Sequence, residues 1–542
     1  MKPIRPSRPQ QPLHEYLRAH ARERGEHAAC IWYGRAISYA ELDRASDAFA
    51  ARLQQIGVAK GDPVVLFLNN CPQYIAAHYG IQKIGAIVCP SGPLNKEHEL
   101  AYQLGDLKAR VIVAAAPLLD IVDRVRGSSS LEHVFVVHYG DLLPDEPTLT
   151  LPAELLAPDR AQREKMRTLR PNCEDFLAVT RSGARPEPVA LSLDDIALMT
   201  YTSGTTGLPK GAMLSYGNAL YKAIVAVECN GVSSDDVLLS IAPLYHIAGM
   251  FMGINAPVLT GATSVLLHRF DPRAAAEAIA RYRVTWWYSI APMNVAVMQL
   301  ADIASFDFSS LKKNPVTSFG ITFTEALANQ WRQHAPNCVS LEAAYGLSET
   351  HTCDTYMPGD AIRWGTHGKP VPGTEIRILD PDTQAPLAAG EVGEIVLKSA
   401  GSFAGYWNKP EASAATLRDG WVHTGDMGKL DAEGYLTFIG RFKEMIKVSG
   451  YSVFPEEVET ILIKHPAIAQ AAVIGEPDTE KGEVVKAFIV LKPGATLTVE
   501  DLLAWSRANM APYKAPRVVR FIDALPATGA GKVLRRLLKD VP

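Results

Sequence analysis

Thr200-Tyr201-Thr202-Ser203-Gly204-Thr205-Thr206-Gly207-Leu208-Pro209-Lys210-Gly211 is the stretch on which the reading of the chain turns. Gly204, Gly207 and Gly211 open backbone conformations closed to other residues and let N–H groups approach a ligand. Thr202, Ser203, Thr205 and Thr206 add hydroxyl donors and Lys210 adds a cation, a combination that suits polyphosphate oxygens. The apolar run Ile196-Ala197-Leu198-Met199 predicts a buried strand just before the loop, which puts the loop at a strand end, where α/β sheets bind ligands. Lys210 is followed by Gly211 rather than Ser or Thr, so this is not the Walker pattern. A Gly-rich loop alone also fits a solvated turn; the order of residues here is far more specific than that.

The rest of the chain bounds what surrounds this loop. At 542 residues it is too long for one compact core, and two or more domains are expected. A composition 47% hydrophobic and 21% charged is that of an ordinary globular protein. Fifty-four Lys plus Arg against 58 Asp plus Glu give a formal charge of -4, which argues against a nucleic-acid or anionic-membrane binder. The 7 cysteines are scattered without a C-x-x-C pair, which suits a reducing cytoplasm and no zinc site. No signal peptide, membrane-spanning run or peroxisomal tail is read in the sequence, and the expected location is cytoplasmic.

Upstream, Ser38 three residues before Glu41 predicts a capping box for a helix through Leu53. The runs Val64–Leu68, Ala86–Cys89, Val111–Val113 and Val134–Val137 alternate with helical segments in a βαβ rhythm. Residues 1 to about 190 are expected to form one α/β subdomain packed against the one that carries the loop. Within it, Leu142 to Pro188 reads as a surface connection rich in Pro, Arg and acidic residues.

Downstream, three strand ends lead into residues with chemical capacity. Val237–Ile241 runs into Ala242-Pro243-Leu244-Tyr245-His246; Thr317–Phe323 gives a strand end and turn; Val339–Ala343 runs into Ala344-Tyr345-Gly346-Leu347-Ser348-Glu349-Thr350. Tyr345 offers a stacking face, Ser348 a phosphate donor and Glu349 a hard oxygen ligand for Mg2+. Singly, each also fits an ordinary turn, and His246 a structural histidine. After Gly365 the pattern changes to short strands and tight turns, a small β-rich subdomain that includes Gly420–Asp426. Asp426 could accept two hydrogen bonds from a vicinal diol, although Asp turns are common. A boundary is expected at Ile439–Lys443, giving domains 1–440 and 441–542. Beyond it, Pro455 opens a helix with Glu456, Glu457 and Glu459 at its positive end, and the chain closes on Gly529-Ala530-Gly531-Lys532.

These motifs, in this order and over nearly the whole chain, resemble the class I adenylate-forming superfamily, in its acyl-CoA ligase branch. The resemblance implies an α/β fold: a large N-terminal domain of two α/β subdomains plus a small β-rich subdomain, then a small mobile α+β C-terminal domain. It implies an ATP-dependent carboxylic acid:CoA ligase that forms acyl-AMP and pyrophosphate and then acyl-CoA, with ATP, Mg2+ and coenzyme A as its small-molecule partners. Thr202, Ser203, Gly204, Thr205, Thr206, Gly207 and Lys210 would hold the β and γ phosphates. Tyr345 would stack near adenine with Gly320, Ile321 and Gly346 beside it, Ser348 would supply the hydroxyl the family usually takes from Thr, and Glu349 would bind the metal. Asp426 and Arg441 would grip the ribose. Lys532 would neutralise transition-state charge, and with His246 and Thr202 makes the catalytic set.

The same resemblance makes Lys443 the hinge about which the small domain rotates, bringing Gly450, Tyr451 and Ser452 to a thiol tunnel. His246, Ala248, Phe319, Gly346 and Cys353 would wall the acyl pocket. Phe319 stands where family members often have Gly, and Ile321-Thr322 where Ala-Pro is usual, so this wall departs from the common pattern and a ring narrows it. The expected substrate is an aliphatic or fatty acid of moderate length; an aryl acid of benzoate or cinnamate type, or loading of a carrier protein, are the alternatives. The expected oligomer is a monomer or homodimer.

Overall fold

The computed structural model describes residues 10–155, 173–202, 208–319, 321–449, 451–478, 481–528, 533–539 and 541. The expected helix after Ser38 forms as Tyr39–Gln55, with the Ser38 hydroxyl accepting from the Glu41 N–H at 3.2 Å. The Glu41 carboxylate meets Arg35 at 2.5 Å, so it serves an ion pair where the sequence suggested the return half of a capping box.

Two mostly parallel sheets, each with one antiparallel pair at an edge, build most of the chain. Their strands, in order, are β1 (Ala28–Trp32), β2 (Arg35–Ser38), β3 (Pro63–Phe67), β4 (Ile87–Pro90), β5 (Val111–Ala115), β6 (His133–Val137), β7 (Cys173–Asp175), β8 (Ile196–Thr202), β9 (Lys210–Ser215), β10 (Val237–Ser240), β11 (Thr263–Leu266), β12 (Trp286–Trp287), β13 (Ser289–Ile290), β14 (Lys313–Thr317) and β15 (Val339–Glu342). One sheet runs β7-β6-β5-β3-β4-β8-β9 and the other β13-β14-β12-β10-β11-β1-β2, with β15 on β14. The continuous Val/Ile/Leu runs are buried on both faces, as parallel strands covered by helices must be.

This topology corrects the division read from the sequence. β1 and β2 leave the first stretch to pair with β11, Cys30 opposite Ser264, while β8 and the loop it carries join β4 through Val88 and Leu198. Alternation of apolar residues marks a strand but not its partner, so subdomain membership could not follow chain order. The interval 142–188 likewise holds β7, an edge strand on β6, and the helix Phe176–Thr180. Residues of both sheets share one core cluster, from Trp32 and Leu266 to Val64 and Val113.

A two-stranded sheet, Thr355–Tyr356 with Lys369–Pro370, and two five-stranded ones follow. Glu375–Leu379, Gly393–Lys398, Leu417–Arg418, Trp421–Leu430 and Leu436–Arg441 pair antiparallel. After them Ile446–Val448, Tyr451–Val453, Ile468–Asp478, Gly482–Leu491 and Val518–Phe521 form a separate sheet with its own core around Val458, Leu462, Val485 and Leu502. The helix Pro455–Leu462 opens with proline as expected, yet its acidic residues do more than face the helix dipole. Glu457 accepts from the Phe454 N–H at 3.0 Å and meets Lys514, while Glu456 and Glu459 meet Arg535 at 2.9 and 2.8 Å.

Candidate functional site

The opening stretch begins and ends on an antiparallel strand pair: Thr202 on β8 lies opposite Lys210 on β9, and its hydroxyl reaches the Lys210 carbonyl at 3.4 Å. Ser203, Gly204, Thr205, Thr206 and Gly207 lie outside the described residues, as do Gly320, Gly450 and Lys532. The helix Glu97–Leu107 braces both ends of this stretch, with the Tyr201 hydroxyl donating to Asp106 at 2.7 Å and the Tyr102 hydroxyl to the Pro209 carbonyl at 2.9 Å.

Lys210 does not stand alone. Its ammonium lies 4.2 Å from the centre of the Tyr406 ring, and the Tyr406 hydroxyl donates to Glu349 Oε1 at 2.7 Å. Burial lowers the Lys210 pKa, opposed by Glu349 and reinforced by the nearby charge of Lys443. Tyr406 is held there by backbone: Trp407 N–H donates to the Gly211 carbonyl at 2.8 Å and Phe403 N–H to the Glu349 carbonyl at 2.8 Å. The sequence reading missed this residue. Its only signal was the aromatic pair Tyr406-Trp407 behind Gly405, whose φ of 129° marks a sharp turn.

The segment between β15 and residue 355 brings the nucleotide candidates together. The Tyr345 hydroxyl donates to Asp426 Oδ2 at 2.7 Å, and Arg441 Nε stands 3.2 Å from Asp426 Oδ1 across a strand pair. The Tyr345 ring stacks on Phe438 with centroids 6.0 Å apart, so the stacking face read from the sequence is in part already covered. Gly346 is required by space, because a Cβ there would stand 2.5 Å from the Cys353 nitrogen. Ser348-Glu349-Thr350 forms a single 3-10 turn, and His351, Thr352 and Cys353 follow with φ of 57°, 57° and 51°.

Three consecutive left-handed non-glycine residues need an external brace. It is a fully buried ion pair: Lys222 Nζ donates to Asp354 Oδ1 at 2.6 Å and to the Cys353 carbonyl at 3.1 Å, and Thr350 donates to the other Asp354 oxygen. Cys353, offered as a pocket wall, packs with Phe251, Met252 and Tyr288, and burial pushes its thiol up to about 11.

Asn70 positions the histidine segment. Its amide donates to the carbonyls of Ile241, Ala242 and Leu267 at 3.1, 3.2 and 3.1 Å and accepts from the Leu244 N–H at 2.7 Å, tying the end of β3 to those of β10 and β11. His246 then caps the short helix Ile247–Met250, its Nδ1 accepting from the Ala248 N–H at 3.4 Å. The helix passes into a π-helical turn at Phe251–Asn255, a distortion common at functional sites. Phe319 follows β14 in a tight turn, its N–H donating to the Thr317 carbonyl at 2.9 Å; Ile321 packs with Val316, Phe323 and Trp364. In the C-terminal part, Lys443 is exposed in the 3-10 turn Phe442–Glu444, Tyr451 is exposed and stacks on Tyr513 at 4.5 Å, and Ser452 lies in the strand Tyr451–Val453. Among the described residues no helix is long and apolar enough to cross a membrane.

A cation thus lies over a phenol that holds a carboxylate, and a second carboxylate is gripped by an arginine and a tyrosine. The chain belongs to the AMP-binding enzyme family, whose description matches residues 17–407, with the AMP-binding enzyme C-terminal domain at residues 457–532. Within that family it lies in the acyl-CoA ligase branch and is an AMP-forming, ATP-dependent carboxylic acid:CoA ligase. It is 33% identical over 98% of its length to a long-chain-fatty-acid–CoA ligase of Bacillus subtilis, 95% of which is covered. A feruloyl-CoA synthase of Amycolatopsis is 32% identical, covering 94% of this chain and 95% of that protein. Among solved structures, the anthranilate CoA ligase AuaEII in complex with anthranoyl-AMP superposes with a TM-score of 0.83 at 28% identity, covering 98% of this chain and 97% of that one.

Proposed function

We propose that the acid is aliphatic, a fatty acid of moderate length, activated in the large domain, residues 1–440, and passed to coenzyme A with the help of the small domain, residues 441–542. The observation that carries the site assignment is the linked set Lys210–Tyr406–Glu349 and Tyr345–Asp426–Arg441. Lys210 with the loop before it holds the β and γ phosphates, and Asp426 with Arg441 takes the ribose. The α phosphorus is left open to attack by a carboxylate oxygen, which expels pyrophosphate; the thiol of coenzyme A then attacks the acyl carbon and AMP leaves.

The residues fit Mg2+. Glu349 is a hard carboxylate held at one oxygen by Tyr406 and set near Lys210, and it would hold the ion. Bound there, the ion would spread phosphate charge while Lys210, Thr202 and Ser348 orient the oxygens. Lys532 adds charge at the α phosphate, and His246 stands at the carboxylate end of a pocket walled by Ala248, Phe319, Gly346 and Cys353. Rotation about Lys443 exchanges Lys532 for Gly450, Tyr451 and Ser452. Lys443→Pro should slow thioester formation and spare adenylate formation; equal loss in both would sink the hinge assignment. Seven free cysteines support a reducing, cytoplasmic setting.

The aliphatic reading draws on the apolar residues Phe251 and Met252 packed with Cys353, on Ile321, and on the Bacillus relative. A second reading, an aryl acid, is favoured by the Phe319 ring and by the feruloyl and anthranilate enzymes. Pyrophosphate release across straight-chain, dicarboxylic, benzoate-type and cinnamate-type acids decides between them. Highest kcat/KM on chains of moderate length supports the first, and highest on a ring acid replaces it with the second.

A further inference from the structure

Glu342 closes β15 and is buried, 7% exposed, beside the loop that follows β14. A carboxylate taken out of water is expensive unless a cation or several donors meet it. Among the described residues its partners are both from Ser318: the N–H donates to Oε1 at 3.2 Å and the hydroxyl donates to Oε2 at 2.5 Å. The Ser318 oxygen in turn accepts from the Phe323 N–H at 2.8 Å. One carboxylate therefore fastens the root of the loop, and through Ser318 its far end. Thr317 adds a third tie, its hydroxyl 3.0 Å from that of Tyr288. Between these ties stand Phe319, Ile321 and Thr322, the residues at which the wall of the acyl pocket departs from the common pattern.

We infer that Glu342 is a specificity-determining positioning residue, which fixes the 318–323 loop through Ser318 and so sets where Phe319 and Ile321 stand against the acyl chain. This rests on the acyl-pocket reading given above. The geometry makes the role separable from general stability. An apolar or amide residue at 342 would relieve a buried charge; the apolar one leaves both Ser318 donors without their acceptor, whereas the amide offers one carbonyl oxygen in place of two. Burial raises the Glu342 pKa to about 7, against the two Ser318 hydrogen bonds that lower it.

The test compares wild type with Glu342→Gln, Glu342→Ala and Ser318→Ala. Pyrophosphate release at saturating ATP gives kcat and KM for a straight-chain and a ring acid, and thioester formation gives the KM for coenzyme A. The ratio of kcat/KM between the two acids should change by about tenfold in Glu342→Ala and Ser318→Ala, and by less in Glu342→Gln, which keeps one bond. The KM for coenzyme A should stay unchanged. The double variant Glu342→Ala/Ser318→Ala should go no further than either single one. A uniform fall in kcat for both acids with an unchanged ratio would overturn the inference. Amide hydrogen exchange over residues 314–327 reads the anchor without any acid: protection at Phe323 should fall in Glu342→Ala and Ser318→Ala, and full protection would also overturn it. A wild type that releases no pyrophosphate with any acid would instead remove the substrate reading, with exchange still deciding the anchor.

Discussion

Two buried carboxylates flank Tyr345 and are satisfied in opposite ways. Asp354 faces a cation, Lys222 at 2.6 Å, with both side chains fully buried. Among the described residues, Glu342 faces only the neutral donors of Ser318. The first arrangement braces three left-handed residues and can be lost only with the fold around them. The second holds one loop and leaves a carboxylate that titrates near neutrality. Burial of charge thus marks a strut in one place and an adjustable wall in the other, and the partner, not the burial, tells them apart.

Breaking the strut should have the largest effect. Lys222→Met leaves Asp354 buried without its cation and should lower stability by about 3–5 kcal/mol, read by denaturant unfolding. The double variant Lys222→Met/Asp354→Leu should recover most of that loss, since an ion pair replaced by apolar groups is often neutral.

Next comes the pH response of Glu342. Its folded pKa is raised from 4.5 to about 7, so the proton is favoured in the folded state. The stability this gives is present below pH 4.5 and lost as pH rises through 7. Glu342→Gln does not titrate, so its stability relative to wild type should rise between pH 5 and 8, by about 3 kcal/mol at most. A flat difference across that range would contradict the burial argument.

Asp426 lies between the two cases, with Arg441 as its cation and Tyr345 as its neutral donor. Tyr345→Phe removes the neutral donor alone and should reduce kcat/KM for ATP by about tenfold, with the KM for coenzyme A unchanged. At the exposed limit, Arg273 meets Asp302 at 2.9 Å in water, and Arg273→Ala should leave the unfolding midpoint where it is.

The sequence carried the elements well where the signal is local. The helix after Ser38 and the one opened by Pro455 form where their start signals put them, and the strand ends before His246 and Tyr345 fall where the apolar runs stop. It carried little of what depends on distant partners. Nothing local tells β1 to cross to β11, brings Tyr406 to Lys210, or pairs Arg535 with Glu444, Glu456 and Glu459. The same holds for Lys222, an unremarkable lysine in the apolar helix Tyr216–Asn230 until Asp354 meets it. The residues read from motifs are those proposed to touch small molecules; the ones missed hold them in place.

The most direct test separates the two half-reactions. With the best acid found, wild type and Lys532→Ala are compared for pyrophosphate release from ATP and acid, and for thioester formation from supplied acyl-AMP and coenzyme A. The account predicts that wild type performs both and that Lys532→Ala loses adenylation while still converting acyl-AMP to thioester. Equal loss of both steps in Lys532→Ala, or adenylation unchanged by it, would contradict a site in which one lysine serves the first reaction and leaves before the second.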